Sequence, residues 1–263
     1  MTPRPDPLAW LLPSALAVVI LGSWEAYVRL AEVPAWILPA PSAILVELGR
    51  GWRTLLASLL VTLEIAALAL AAAVLGGGLL AVLFSLSRTV EQALFPYAVI
   101  LQVTPVVSIA PLILIYVDDP LTAVILCAWL VSFFPILANT MLGLKSADHG
   151  HRDLFRLYRA SRWQRLRLLD LPTALPHFLG GLKIAGGLSL IGAVVAEYVA
   201  GTAGAGTGLA FRILEAGYRL QIPTMFAALL LLALTGIAIY LAFDRLSRFL
   251  LRRWHASALD VER

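Results

Sequence analysis

The sequence predicts an all-α membrane protein that crosses the bilayer several times. Of its 263 residues, 60% are hydrophobic and 14% are charged, and the mean hydropathy is +0.88. Soluble domains carry about 25% charged and about 45–50% apolar residues. Here the apolar residues form runs long enough to cross a hydrocarbon core, which takes about 20 helical residues. We therefore expect a polytopic bundle of six transmembrane helices, forming a single membrane domain over residues 1–263.

Six segments meet this length requirement, and most charged residues lie between them. The second and sixth segments are long enough to tilt or to extend past the bilayer. The third is interrupted by Pro96, Pro105 and Pro111 and the fourth by Pro135, so we expect both helices to be kinked. The predicted spans are Leu8–Leu30, Leu55–Leu86, Ala93–Val117, Leu121–Leu144, Pro176–Ala200 and Pro223–Leu251.

The basic residues predict the orientation of these spans. With the N-terminus inside the cell, fourteen of the 20 lysines and arginines fall in inside segments and five in outside segments, while Lys183 lies within a span. Short cytoplasmic loops carry an excess of lysine and arginine. Both termini and the loop of residues 145–175 are therefore predicted to be cytoplasmic. We expect Lys183 to extend its amine toward the cytoplasmic boundary.

Several kinds of function are excluded by what the sequence lacks. Neither of the two lysines, Lys145 and Lys183, follows a glycine-rich loop, so no P-loop for ATP is predicted. The glycine-rich segment Gly201–Gly208 lacks the Gly-Lys-Ser/Thr ending of a phosphate-binding loop. No histidine lies in the middle of a span, so no metal or haem site is predicted there. The basic residues cluster at span ends, which argues against a nucleic-acid partner. We expect no catalytic residues and no cofactor bound by this chain.

The loop between the fourth and fifth spans carries more charge than a simple connection requires. Leucines alternate with arginines over Asp153–Leu171, without forming one apolar stripe at helical spacing. Two short helices with a break fit this pattern better than one. The sequence of Ser161–Gln164 matches a capping box, which predicts the start of the second helix, and Pro172 and Pro176 are expected to end it. The alternative is an ordinary basic loop with an interfacial helix.

A few polar residues lie inside the predicted spans, where they are energetically costly and often functional. Glu197 lies near the external end of the fifth span, and Asn139 lies on the fourth. Gln102, Thr104 and Ser108 follow helical spacing on the third. These five residues are candidates for lining a polar path through the bundle. Hydrogen bonding within or between helices is their alternative role.

Several segments resemble one family of membrane proteins. The sequence RASRWQRLRLLDLPTALPHFLGGLKIA is similar to the cytoplasmic loop of binding-protein-dependent ABC importer permeases, which closes with L-P-x-x-L-P. The nearest branch handles nitrate, sulfonates, taurine and vitamin-precursor pyrimidines. The match runs in order from about Ile37 to Trp254. Further similarity lies in Ile37–Ile44, Leu101–Tyr116, Phe133–Leu144 and Leu190–Gly201.

This resemblance implies a type I ABC importer permease in the inner membrane of a bacterium. Two permease copies, expected as a homodimer, would form the path for a small polar or anionic solute. Two separate ATPase subunits would bind ATP and Mg, and an external binding protein would deliver the solute. The cytoplasmic loop would couple this chain to the ATPase. The coupling residues implied by the resemblance are Tyr158, Arg159, Ala160, Ser161, Arg162 and Trp163.

Arg159 departs from the family pattern, which has a glycine at this position. That glycine would provide a left-handed turn between the two short helices. Arginine either adopts the same turn, at a cost of roughly 1 kcal/mol, or builds a different one.

Two other functions are alternatives to the importer. A secondary transporter or channel, working without an ATPase, would show inverted repeats, and a membrane enzyme would show a polar cluster at one depth. Neither feature is visible in the sequence.

Overall fold

The computed structural model describes residues 7–201 and 208–252, where the chain consists of helices and their connections without any strand. Both predicted cytoplasmic termini and most of the glycine-rich segment lie outside the described residues. The described helices are α1 (Pro7–Leu30), α2 (Pro41–Leu86), α3 (Arg88–Val103), α4 (Val106–Tyr116), α5 (Pro120–Lys145), α6 (His149–Leu157), α7 (Arg162–Arg165), α8 (Leu171–Ala200), α9 (Leu209–Tyr218) and α10 (Ile222–Leu251).

Helices α1, α2, α5, α8 and α10 are long and apolar enough to cross a membrane, which confirms the predicted all-α polytopic fold. The remaining predicted span is divided, because α3 and α4 meet at an angle of 102°. Thr104 has extended backbone angles at the break and Pro105 follows it. A residue before proline avoids the α conformation, and proline has no amide to continue the ladder of α3. Within residues 7–201 and 208–252, the bundle thus has five continuous spanning helices and one bent pair.

The turn between α4 and α5 is fixed by Asp119. Its carboxylate accepts hydrogen bonds from the backbone amide of Thr122 at 2.8 Å and from the Thr122 hydroxyl at 2.5 Å. These hydrogen bonds hold the pKa of Asp119 below its ordinary value, because they favour the charged form. Asp119 is therefore the N-cap that starts α5 after the bent pair.

Helix α2 begins at Pro41, earlier than the predicted Leu55. The added turns are amphipathic: Ile44 is buried against α10 and α9, while the charged residues of this segment lower its hydropathy below that of a span. Its first turn is held by α1, since the Glu25 carboxylate accepts hydrogen bonds from the Ser42 amide at 3.0 Å and the Ser42 hydroxyl at 2.7 Å.

The core lies where α5 packs between α2 and α8, and glycines allow α5 and α8 to approach closely. A Cβ added at Gly192 would lie 2.8 Å from the Cα of Ala128, and one added at Gly181 would lie 2.8 Å from the Cβ of Asn139. Neither position has room for a methyl group. Gly187, on the same helix, has no such neighbour within 4 Å. The close approach therefore depends on particular glycines of α8.

Helix α7 continues into α8 through one π-helical turn, Leu166–Asp170. The prediction that Pro172 and Pro176 end the second short helix is therefore wrong. Pro172 lies at the start of α8, directly after the π turn has shifted the backbone hydrogen bonds, and the first turn of a helix tolerates proline. Pro176 lies inside α8, where it bends a helix without ending it.

Lys183 joins α8 to α10. Its Nζ lies 2.6 Å from Oδ1 of Asp244 and 4.1 Å from the centre of the Tyr240 ring. Arg248 contacts the other oxygen of Asp244 at 2.8 Å. The amine forms an ion pair with the neighbouring helix, and its extension toward the cytoplasmic boundary stays a prediction. Half-buried ionic groups inside a bundle pair with one another in this way.

Replacing Gly192 by alanine is expected to lower the free energy of unfolding by about 1–3 kcal/mol, because the added methyl overpacks the α5–α8 contact. Gly187→Ala is the matched control on the same helix. It should leave stability unchanged or raise it by up to about 1 kcal/mol, because alanine is the better helix former. Thermal unfolding of the purified chain in detergent measures both. Equal midpoints for the two variants would contradict the close approach of the helices.

Candidate functional site

The candidate coupling site is the hairpin formed by α6 and α7. Asp148 starts α6 by accepting a hydrogen bond from the Gly150 amide at 3.0 Å. Helix α6 ends at Leu157 and α7 begins at Arg162, so the predicted break is confirmed, while the second helix runs on into α8. The turn of Tyr158–Ser161 forms the apex of the hairpin.

Arg159 adopts the left-handed turn, with a φ of +51°. Its amide bonds to the carbonyl of Arg156 at 3.0 Å, and the amide of Ala160 bonds to the carbonyl of Phe155 at 2.9 Å. This pair of bonds is the Schellman motif, in which glycine normally occupies the left-handed position. Of the two alternatives for Arg159, the structure therefore has the first, with its conformational cost of roughly 1 kcal/mol.

The start of α7 has the predicted capping box. The Gln164 amide donates to the Ser161 hydroxyl at 3.2 Å, and the Ser161 amide donates to the Gln164 side chain at 2.8 Å. Two amides at the helix start are satisfied within four residues. The break between the helices is therefore rigid on both sides, with the Schellman motif before it and the capping box after it.

The hairpin exposes a large apolar and aromatic surface. Tyr158 is 80% exposed, Trp163 is 63% exposed and Leu157 is 81% exposed. A groove of about 280 Å³ lies between the two helices. Exposed apolar patches on a charged segment indicate an interaction surface, and buried aromatic residues contribute strongly to such interfaces. The groove is lined by Leu154, Phe155, Tyr158, Ala160, Gln164 and Leu168.

Arg162 differs from the other coupling candidates because its side chain contacts the bundle. Its guanidinium donates to the carbonyl of Leu86, at the end of α2, with a separation of 3.4 Å. Arg165 lies 3.1 Å from Asp170, a carboxylate that is only 3% exposed. Leu166 is buried in the main core. The hairpin is thus attached to α2 and to the beginning of α8.

Two of the five candidate path residues meet in one cavity. The cavity has a volume of about 350 Å³ and lies between α3, α4, α5 and α8, where Gln102 and Thr104 are among its lining residues. Ser108 is exposed on α4 and lies outside this lining. Asn139 donates to the carbonyl of Pro135 at 2.9 Å and packs against Gly181 of α8.

Glu197 faces the start of α9. One carboxylate oxygen accepts a hydrogen bond from the Ala210 amide at 3.1 Å, while the other is buried without a described partner. The Leu209 amide donates to the Thr62 hydroxyl at 2.8 Å. A Cβ at Gly208 would overlap the Glu197 carboxylate. Side chains from α8 and α2 therefore take the role of an N-cap for α9.

No pattern in the sequence marks Thr62, Gly208 or α9 as parts of this contact. Glu197 and Ala210 are separated by the glycine-rich segment, so their proximity has no local sequence signal. The amphipathic spacing of α9, with Leu209, Ala210 and Ala216 buried, is the one feature that marks a helix there.

Comparison with known proteins identifies relatives along nearly the whole chain. The family described as binding-protein-dependent transport system inner membrane component matches residues 73–256. The riboflavin transport system permease protein RibX of Chloroflexus aurantiacus is 37% identical, over 94% of this chain and 90% of that protein. The formylaminopyrimidine transport permease protein ThiX of Halalkalibacterium halodurans is 31% identical, over 92% of this chain and 95% of that protein.

Solved structures share the fold. An amino acid ABC transporter chain superimposes with a TM-score of 0.63 at 18% identity, covering 79% of this chain and 97% of that chain. A chain of the MetNI methionine ABC transporter also gives a TM-score of 0.63, at 21% identity, covering 74% of this chain and 94% of that chain. At these identities the similarity concerns the arrangement of helices.

Arg159→Gly is expected to raise the free energy of unfolding by about 1 kcal/mol, because glycine adopts a positive φ without steric cost. Arg156→Gly is the matched control, since it makes the same substitution inside α6, where glycine costs about 1 kcal/mol relative to ordinary helix formers. Thermal unfolding of the purified chain should shift upward for the first variant and downward for the second. A fall in both would contradict the Schellman motif at Arg159.

Proposed function

We propose that this chain, which belongs to the binding-protein-dependent transport system inner membrane component family, is driven by separate ATPase subunits that contact its α6–α7 hairpin. As a member of that family, it is the permease component of an ABC importer for small solutes, and a transport subunit. ATP and Mg would be bound by the ATPase subunits. The observation that carries the proposal is the rigid hairpin with exposed Tyr158 and Trp163.

The geometry of the hairpin supports coupling to the translocation path. Trp163 lies on α7, which continues through the π turn into α8, and α8 contributes Gly192 and Val195 to the cavity. ATP binding in the partner would draw the two ATPase subunits together and displace the hairpins with them. Because the helix is continuous, a displacement at Trp163 would reach the cavity. ATP binding in the partner would thus shift the conformational equilibrium of the permease, and hydrolysis would return it to its starting state.

The cavity between α3, α4, α5 and α8 is proposed as this subunit's share of the path, with Gln102 and Thr104 as its polar lining. A second copy of the chain would complete it. The exposed apolar residues of the bent pair, including Val103 and Ile115, support such a face. Ser108, exposed on α4, would reach the path in that dimer. Asn139 and Glu197 would support the path by holding α5, α8 and α9 in place.

The proposed substrate is a small polar or anionic solute, delivered by an external binding protein. The relatives named for riboflavin and formylaminopyrimidine transport cover at least nine-tenths of this chain, which favours a vitamin or vitamin precursor. A taurine transport system permease protein of Escherichia coli is also 31% identical over 90% of this chain, which supports the wider anionic class. The cavity, lined mostly by apolar residues, suits a passage better than a high-affinity site.

The permease is a multi-pass protein of the inner membrane. We propose that both termini and the α6–α7 hairpin face the cytoplasm. The excess of arginine and lysine on that side, seven of them over Lys145–Arg167, supports this orientation.

Replacing Trp163 and Arg162 together by alanine is expected to weaken ATPase binding by roughly 30-fold or more, the loss typical of an interface hot spot. ATP hydrolysis would become uncoupled from uptake in the reconstituted complex. Co-purification of the ATPase and uptake into proteoliposomes measure the two effects. Trp163→Ala alone, which keeps the bond from Arg162 to α2, separates the interface from the attachment of the hairpin.

Trp52→Ala/Arg53→Ala is the matched control, because it removes the same pair of residue types from the exposed surface of α2 near its other end. It should leave ATPase binding unchanged. Unchanged assembly and uptake in the Trp163/Arg162 variant would reject the coupling role of the hairpin. Uptake by the permease without any ATPase would show instead that it is a secondary transporter or a channel.

Cysteine labelling tests the orientation. A membrane-impermeant maleimide should label Tyr158→Cys only after the cells are opened, and Trp52→Cys in intact cells. Both side chains are exposed, and Trp52 lies near the start of α2, whereas the hairpin contacts its end. The native Cys127 is buried in α5 and should contribute little background. The reverse pattern would contradict the proposed orientation.

A further inference from the structure

A second cavity of about 600 Å³ lies beside the hairpin, where the ends of α2, α5 and α7 meet the beginnings of α3 and α6. Its lining combines two kinds of surface. The apolar part consists of Phe84, Phe95, Pro96 and Leu144. The charged part consists of Arg88, Lys145, Arg152, Arg156 and Arg165, together with the carboxylates of Glu91 and Asp170.

The cations in this cavity exceed the anions that neutralise them. Lys145 pairs with Glu91 and Arg165 pairs with Asp170, so both carboxylates are engaged. Arg88 has no ion-pair partner within residues 7–201 and 208–252. The cavity therefore presents a net positive charge next to an apolar wall.

Arg152, which lines this cavity, is only partly satisfied by the protein. Its Nη2 donates to the carbonyl of Lys145 at 2.8 Å, but its Nε is buried and has no acceptor in the described part of the chain. Oδ1 of Asp170 is likewise buried without a donor. Buried polar groups are nearly always hydrogen-bonded, and an orphan donor is destabilising. Both atoms lie just beneath the cavity surface, so an anionic acceptor and a hydroxyl donor would satisfy them after a small shift of the two side chains.

We propose that this cavity binds the headgroup of an anionic phospholipid. Phosphate oxygens would accept from Arg152 and Arg88, and a headgroup hydroxyl such as that of phosphatidylglycerol would donate to Asp170. Phe95 and Pro96, the two apolar lining residues with exposed surface, would receive the beginning of an acyl chain, a contact that a soluble phosphate cannot use. Basic pockets between transmembrane helices at the membrane boundary bind anionic headgroups in this manner. Binding of this headgroup would not require contact with an ATPase.

A bound headgroup would join elements that the chain itself connects only weakly. Arg88 belongs to the start of α3, whereas Arg152 lies on α6 of the hairpin. A phosphate between them would hold the hairpin against the bundle. The position of the hairpin would then depend on the lipid composition of the membrane as well as on protein contacts.

Native mass spectrometry of the full chain tests this proposal, with phosphatidylglycerol and phosphatidylcholine of the same acyl chains offered in equal amounts. The wild type should retain phosphatidylglycerol preferentially. Arg88→Gln/Arg152→Gln should reduce that preference by about fivefold per arginine. Arg88→Gln alone, which removes an exposed side chain without an ion pair, gives a readout even if the double variant folds poorly. Arg50→Gln/Arg53→Gln, with the same charge change near the other end of α2, should retain the wild-type preference.

Three outcomes would overturn the lipid assignment. Equal loss of preference in both double variants would indicate general charge attraction. Displacement of the lipid by an excess of inorganic phosphate or glycerol 3-phosphate would assign the site to a soluble phosphate. If Arg88→Gln/Arg152→Gln kept the wild-type lipid preference but lost ATPase co-purification, the cavity would be assigned to an acidic side chain of the partner. Because lipid retention is measured without an ATPase, a failure here is distinct from a failure of the proposed coupling.

Discussion

The first backbone amides of a helix have no acceptor within that helix, and this requirement determines where several polar side chains of this chain lie. Glu25 and Ser42 close the start of α2, and Asp119 closes the start of α5. Glu197 and Thr62 satisfy the first amides of α9. Glu197, a candidate path residue in the sequence, therefore serves as a helix cap, and Asp119 starts α5, which lines the cavity.

The hairpin and the cavity are parts of one helical unit. The hairpin is rigid at its apex, where the Schellman motif and the capping box fix both sides of the break, and the π turn carries the helix into α8 without a loop. Gly181 and Gly192 then seat α8 closely against α5. A tight contact of this kind responds to force by moving as a body, because packed cores are not continuously deformable. This is the mechanical basis for proposing that a partner at the hairpin can act on the cavity.

Local patterns predicted the parts of this structure that local forces decide. Hydropathy located the continuous helices, and the four residues from Ser161 contain the whole capping box. Hydropathy does not reveal the beginning of α2, because the charged face of this segment lowers its hydropathy. The continuation of α7 into α8 is not predicted either, because no residue composition indicates a π turn before Pro172. The capping of α9 by Glu197 depends on contacts across the glycine-rich segment, which no periodicity encodes.

Arg159 has a consequence for the exchange of subunits between importers. A glycine at the apex of the hairpin presents only backbone, whereas Arg159 adds an exposed guanidinium there. On the proposed contact, the groove of the cognate ATPase must make room for this cation and balance its charge. An ATPase fitted to glycine-bearing permeases would meet an unaccommodated charge, which is an effective way to exclude a wrong partner. In a cell with several related importers, Arg159 would help to keep this permease from assembling with the ATPase of another importer.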